Sequence, residues 1–456
     1  MRQSNFSGQI AVGAMATLIC VGAAAQVVSE GLSPASNTYR SYVDASIARD
    51  SGINQPLDLL NDFYPAVEVV ISDHDNVRRR TDVEEEDLKM TVKPSLAYRT
   101  DIGRHQFYAA YTGVFTYHDE LDQEDAQSNA LHAKLGLDLS RRWDLNLFAG
   151  VGEAFEERGI SGSRPFNQLV PNLDTGPDEI DYYLYGADLI YGRKSSPLIA
   201  VLGYEKYVTN YENNEQGFTN ISGNRDRESD SVHLDISYQI GARTSVFGRI
   251  QYTEVDYDRA ANTLDSEQTD FLLGLRWKPS NALSGVLGVG STDKDFIDPA
   301  RQDYDDNIYY VNLNYAFNPL SNLQLSASRV VEEPGDDQSD YYESDLLGIG
   351  IDHALTSTIS VNAYAKWIDD NYNTNREDEF FDYGVGLDYY WRPWLTAGIY
   401  YSEIERKSTL DTVEYEDRYF GIRLTSDLRP LLRGRGSRVE PNGSFDYPRK
   451  SADGSR

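Results

Sequence analysis

The sequence predicts an all-β chain, a transmembrane antiparallel barrel of about 18 strands with short periplasmic turns and long extracellular loops. Three observations predict it. Apolar and polar residues alternate with a period of two along many segments of ten or more residues, as strands require when successive side chains leave opposite faces. The connections between these segments alternate short and long. No stretch approaches the ~18 consecutive apolar residues of a spanning helix, yet the N-terminus reads as an export signal.

That signal is "MRQSNFSGQIAVGAMATLICVGAAAQ", with Arg2 in a short charged region, an apolar run from about Ile10, and Ala23 and Ala25 as the small residues of a cleavage site. A signal peptide over residues 1–25 is expected. The alternative, an anchoring helix, is disfavoured by the shortness of the run. Cys20, the one cysteine, would leave with the leader, and Ile19 stands where a lipoprotein signal carries a small residue. The mature chain then has no disulfide and no thiol chemistry. Residues 26–65 are mixed and mostly polar and read as a flexible periplasmic segment. It has one short helix around Tyr42 to Arg49 and is long enough to enter a lumen.

The barrel is expected over residues 66–428. Its clearest segments, in order, are "LKMTVKPSLAYR", "HQFYAAYTGVFTY", "NALHAKLGLDLS", "WDLNLFAGVG", "DSVHLDISYQI", "TDFLLGLRW", "NIYYVNLNYAF", "STISVNAYAKW" and "RYFGIRLTS". In "FDYGVGLDYYWRPWLTAGIYYSEIE", Tyr383, Val385, Leu387, Tyr389 and Trp391 oppose Asp382, Gly384, Gly386, Asp388 and Tyr390. After Arg392-Pro393 the alternation resumes with Leu395, Ala397, Ile399 and Tyr401. Such length suits tilted strands crossing a bilayer better than strands of a soluble sandwich. Short connections such as "SRRW", "GRKSSP", "GART", "NPLS" and "WRPW" alternate with long ones such as "ERGISGSRPFNQLVPNLDTGPDE", "ENNEQGFTNISGNRDRESD", "DKDFIDPARQDYDD" and "DDNYNTNREDEFF". The apolar face therefore meets lipid. A soluble all-β array has no reason to keep such a difference between its two ends.

Trp143, Trp277, Trp391 and Trp394 lie by the short turns, and Tyr111, Tyr117, Tyr252, Tyr257 and Tyr401 lie toward the long loops, as two interfacial girdles would. Acids gather in the long loops, while Arg141, Arg142, Arg193, Lys194, Arg243 and Arg392 occupy the short turns. The tail, residues 429–456, is basic, rich in Gly, Pro and Ser, and reads as disordered. An even strand count puts both termini in the periplasm. The expected location is the outer membrane of a Gram-negative bacterium. Lipid, lipopolysaccharide and the barrel-assembly machinery are the expected partners.

Catalytic motifs are absent. "GISGS" at Gly159 to Ser163 misses the nucleophile-elbow spacing, and there is no H-E-x-x-H, phosphate-binding or dinucleotide glycine pattern. The chain is not expected to be an enzyme or to hold a cofactor or metal. "DKDFIDPARQDYDD" lacks the EF-hand pattern and reads as a solvated acidic loop. With 73 acids against 42 bases, a net charge of −31, the chain is no nucleic-acid binder. The lumen parity is charged: Lys89, Lys93, Lys134, Arg249, Arg276, Lys366 and Arg423 with Asp144, Asp188, Asp235, Asp352 and Asp388 are the candidate pore-lining residues. His132 and His233 share that parity. Such charges either select what passes or pair with one another across the wall.

One segment resembles a known family. "SDHDNVRRR", Ser72 to Arg80, followed by "KPSLAYRT" with Pro94, Leu96 and Tyr98, is similar to the putative β-barrel porin 2 family, outer-membrane barrels associated with capsular or exopolysaccharide synthesis and export. Family members carry paired acids before the Asn, and here His74 replaces the first. The resemblance implies no catalytic residues. It implies a conduit for an extracellular polysaccharide, with the polymer and its export components as partners. The residues leave open a general diffusion porin for small solutes, or a surface structural or adhesive barrel.

Overall fold

The computed structural model describes residues 62–163, 176–192, 196–212, 225–258, 264–280, 282–335, 339–392 and 394–427. The expected leader, the plug-length segment with its helix at Tyr42 to Arg49, most of "NQLVPNLDTGPDE", Arg193, Lys194 and the basic tail lie outside the described residues.

The alternating segments form eighteen strands: β1 Asp62–His74, β2 Asp87–Ile102, β3 His105–His118, β4 Ala126–Asp138, β5 Trp143–Glu156, β6 Asp178–Tyr191, β7 Leu198–Glu212, β8 Arg227–Gly241 and β9 Thr244–Tyr257, then β10 Ser266–Trp277, β11 Leu283–Phe296, β12 Tyr304–Asn318, β13 Ser321–Glu332, β14 Tyr342–Ala354, β15 Ile359–Tyr372, β16 Glu377–Arg392, β17 Leu395–Ser408 and β18 Tyr415–Asp427. Each pairs antiparallel with its sequence neighbours, and β1 also pairs with β18, with Val67 opposite Ser426 and His74 opposite Tyr419. Closure leaves no edge, which a bilayer demands of a sheet.

β1 begins at Asp62 rather than after residue 65, and Phe63 already pairs with Tyr98. Pro65 suggests a boundary because proline cannot donate to a ladder; here it sits near the N-terminal end of the strand, opposite Leu96 and just before pairing with β18 begins at Ala66. The segment "DDNYNTNREDEFF", expected as a long loop, is mostly strand. Asp370 of β15 pairs with Asp378 of β16, and only residues 373–376 connect them, with Asn375 in the left-handed region at φ +62°. Solvated strand ends that rise past the lipid have the composition of loops.

The register puts one parity inside all the way round. On β16 the outward set holds Val385 and Trp391, 49% and 61% exposed, while inward Asp378 and Asp388 are buried. Trp143 and Trp391 stay exposed by the turns, and Tyr117 and Tyr252 by the loops, forming two girdles. Tyr257 departs from expectation. It points inward, buried, and donates to Glu333 Oε2 at 2.6 Å. Inside the loop end, Val255, Tyr257, Leu264, Phe296, Tyr304, Val331 and Tyr341 form one apolar cluster; lower on the same wall, Phe247, Leu272, Val286 and Ile308 form another.

Candidate functional site

The loop end of the barrel is clasped from within, and the motif "SDHDNVRRR" builds the clasp. Ser72, His74 and Asn76 follow the inward parity of β1. Ser72 Oγ lies 3.0 Å from His74 Nε2, and His74 Nδ1 lies 3.1 Å from Asp417 of β18. The His74 ring stacks on Tyr419 at 4.4 Å. Asn76 turns the chain: its Nδ2 donates to the carbonyls of Arg80 and Glu416, and its Oδ1 accepts from Arg80 N. The turn sets Arg78 and Arg79 facing the interior. Arg79 holds φ +51°, a left-handed conformation that costs a non-glycine residue ~1–2 kcal/mol.

Arg79 reaches the loop that follows β5. It donates to the Arg158 carbonyl at 2.8 Å and to Glu157 at 3.3 Å, stands 3.5 Å from Asp417, and lies over the Tyr415 ring. Burial disfavours the Arg79 charge, but Glu157, Tyr415 and Asp417 outweigh it and hold the guanidinium ionised. Burial would likewise raise Glu157, yet Lys89 and Arg79 together bring its carboxyl down to about 2. Arg78 and Arg158 grip Glu124 from the next loop, at 3.0 and 2.7 Å. Beyond Arg158 the chain turns into the barrel. Gly159 and Gly162 take φ +69° and +72°; the Tyr415 hydroxyl donates to the Gly159 carbonyl at 2.7 Å, and Ser161 faces Tyr342 and Asp370. β5 stands across the lumen from β14 and β15 in the ring order, so residues 157–163 reach over the mouth to the far wall.

Sequence reasoning singles out "SDHDNVRRR" and "GISGS" without joining them. The signals are three consecutive arginines and two glycines three apart. Glu124, Glu157, Tyr415 and Asp417 give none, being ordinary loop acids and strand residues until the register brings them together.

All twelve candidate pore-lining residues fall on the inward parity. Lys89 and Lys93 stand 3.3 Å from Glu157 and Glu68; Asp188 and Asp235 lie 3.7 and 3.6 Å from His233, and Arg249 is 3.9 Å from Asp235. Lys366 is 3.8 Å from Asp382, and Arg423 donates to Asp388 at 2.8 Å. Arg276 donates to Ser237 and lies over Phe247. Lys134 faces Phe148 in the register, Asp144 faces Asp138, and Asp352 sits between Asn322 and Asn362. Most of these charges thus meet an opposite charge or a histidine on an adjacent strand, on the next strand but one, or in the loop after β5. His132 meets Tyr182 rather than His233. Ser72, His74 and Asp417 have the connectivity of a hydrolytic relay, but Ser72 is 4% exposed and its hydroxyl also faces Tyr400, so the array braces β1 against β17 and β18. Among the described residues no three His, Cys, Asp or Glu side chains converge as metal ligands.

No curated protein matches the chain. Solved structures of similar architecture come from Pseudomonas aeruginosa. OpdK with vanillate is 9% identical, covering 80% of this chain and 99% of that chain at a TM-score of 0.44. OccK2 (OpdF) in complex with glucuronate is 12% identical, covering 80% and 98% at 0.45, and OccK5 (OpdH) is 12% identical, covering 80% and 98% at 0.43. The family model described as "Putative beta-barrel porin 2" matches residues 63–427, the whole of the barrel but its first residue, and the chain belongs to that family of porin-like outer-membrane β-barrels.

Proposed function

We propose that the barrel is a diffusion channel for small polar solutes, without covalent chemistry, narrowed at its loop end by residues 157–163. The single observation that carries this reading is the tether of those residues to Arg79, Tyr415 and the β14–β15 wall. A segment fixed across a polar, internally charge-paired lumen sets a size limit on what passes. Conduction of a polysaccharide, implied by the family resemblance, gains no support, because a hydrated polymer would have to thread past the clasp.

Purified protein in planar bilayers should give discrete conductance steps, and liposomes carrying it should admit small sugars up to a cutoff. Arg79→Ala should raise conductance or open-channel noise with the barrel still heat-modifiable on a gel. Absence of conductance at any protein concentration sinks the channel reading. Deletion from cells that left small-solute uptake unchanged but removed surface polymer would restore the export reading.

A further inference from the structure

The eight connections on the turn rim are residues 103–104, 139–142, 192–197, 242–243, 278–282, 319–320, 355–358 and 393–394. Their sequences contain no Asp or Glu, in a chain where acids far outnumber bases. Within the described residues they carry Arg104, Arg141, Arg142, Arg243 and Lys278, with Arg392 closing β16. Every one of these is exposed. The strand acids nearest this rim, Asp62, Asp101, Asp138, Asp144 and Asp427, occupy inward-parity positions, away from the surrounding lipid. The collar lies level with the outward Trp143 and Trp391. Interfacial tryptophans mark the depth of the lipid headgroups. The opposite rim is the reverse, with outward Glu254, Asp256, Asp293, Asp295, Glu403 and Glu405 above the tyrosines.

From this we infer that the turn rim is an interaction surface for anionic phospholipid, its arginines and lysines binding headgroup phosphates of the leaflet the turns face. Charge complementarity and depth both single out this partner. A basic side chain gains from an anionic leaflet only within about a Debye length, ~10 Å at 0.1 M salt, and the collar is on that surface. Among the described residues no carboxylate forms an ion pair with the collar's basic side chains, whereas Arg329 and Arg418 at the loop end each hold acids of their own chain. The inference rests on the membrane placement of the barrel and not on solute passage.

The test is fluorescence quenching in vesicles of mixed phosphatidylethanolamine and phosphatidylglycerol, with one or the other brominated. With Trp367→Phe removing the tryptophan at the other end of β15, the remaining Trp143, Trp277, Trp391 and Trp394 report on lipid at the collar. Brominated phosphatidylglycerol should quench more than brominated phosphatidylethanolamine at equal mole fraction, by a relative association constant of roughly threefold or more. Molar salt should reduce that ratio toward one, as should Arg141→Gln, Arg142→Gln, Arg243→Gln and Arg392→Gln combined. Heat-modifiability on a gel checks that the combined variant folds; should it not, the salt series on the protein with its collar intact and Arg243→Gln alone decide. A ratio of one with the collar intact overturns the inference. So does a ratio indifferent to both salt and charge removal, or one abolished by soluble peptidoglycan fragments, which would make the cell wall the partner.

Discussion

Glu157 is the residue on which the clasp is most exposed to acid. Its carboxyl, near 4.5 in an unfolded chain, is brought down to about 2 by Lys89 and Arg79 against the effect of burial. A depressed carboxyl stabilises the folded arrangement fully above 4.5 and loses that contribution as pH falls toward 2, each tenfold difference in proton affinity being worth ~1.4 kcal/mol. The protection of the amides in residues 157–163, taken relative to the intrinsic exchange rate at each pH, should therefore fall between pH 4.5 and 2, and Glu157→Gln should show lower protection at neutral pH with little further change on acidification. An acid response unaltered by that substitution would move the effect to another group. Gly159 is the second sensitive point. A Cβ there meets the Tyr415 ring and the Arg79 side chain, and its φ of +69° costs a β-branched residue at least ~1–2 kcal/mol. Gly159→Val should unseat the loop while the barrel persists, giving noisier single channels at unchanged heat-modifiability.

Between neighbouring strands the recurring device is an inward glycine covered by an aromatic ring. Phe148 of β5 lies over Gly186 of β6, Phe247 of β9 over Gly274 of β10, and Tyr400 of β17 over Gly421 of β18. Any Cβ at Gly186 would run into both the Phe148 ring and the Tyr204 carbonyl, and backbone cannot give way as a side chain can. The rings thus lie flat along the wall instead of projecting into the lumen, as aromatic cover of strand glycines allows. Gly186→Leu should cut the fraction of chain that reaches the heat-modifiable state severalfold, and Phe148→Ala introduced with it should recover part of the loss; no recovery would mean the Tyr204 backbone sets the limit. The strands themselves are legible because lipid and water impose opposite chemistry on alternate residues, as Val385 and Asp388 show. Tyr257 defeats the sequence pattern because a tyrosine suits a membrane girdle and a buried carboxylate equally well. Which of the two it meets depends on a Glu333 some 76 residues away. The clasp is invisible in the sequence for the same reason, since Arg79, Glu157 and Asp417 come together only through the register.

Across the whole molecule, charge is polarised along the barrel axis, basic at the turns and acidic at the outward loop ends. We propose that the turns and both termini face the periplasm. On intact cells an epitope inserted in residues 409–414 should be labelled and one in residues 242–243 should not, and the reverse pattern would invert the topology. The pairing of β1 with β18 has a further effect, on the order of events during assembly. It joins the most distant segments of the chain, so it carries the largest loop-closure cost and forms late. The clasp draws on the same two strands, through His74 with Asp417, Asn76 with the Glu416 carbonyl, and Tyr415 with Gly159. A chain halted before Tyr415 lacks its last wall together with the Tyr415 and Asp417 anchors of the clasp, so the wall closes and the constricting loop gains its last anchors in the same step. Sealing the wall and fixing the aperture thus share one final step, the docking of the last thirteen residues of strand.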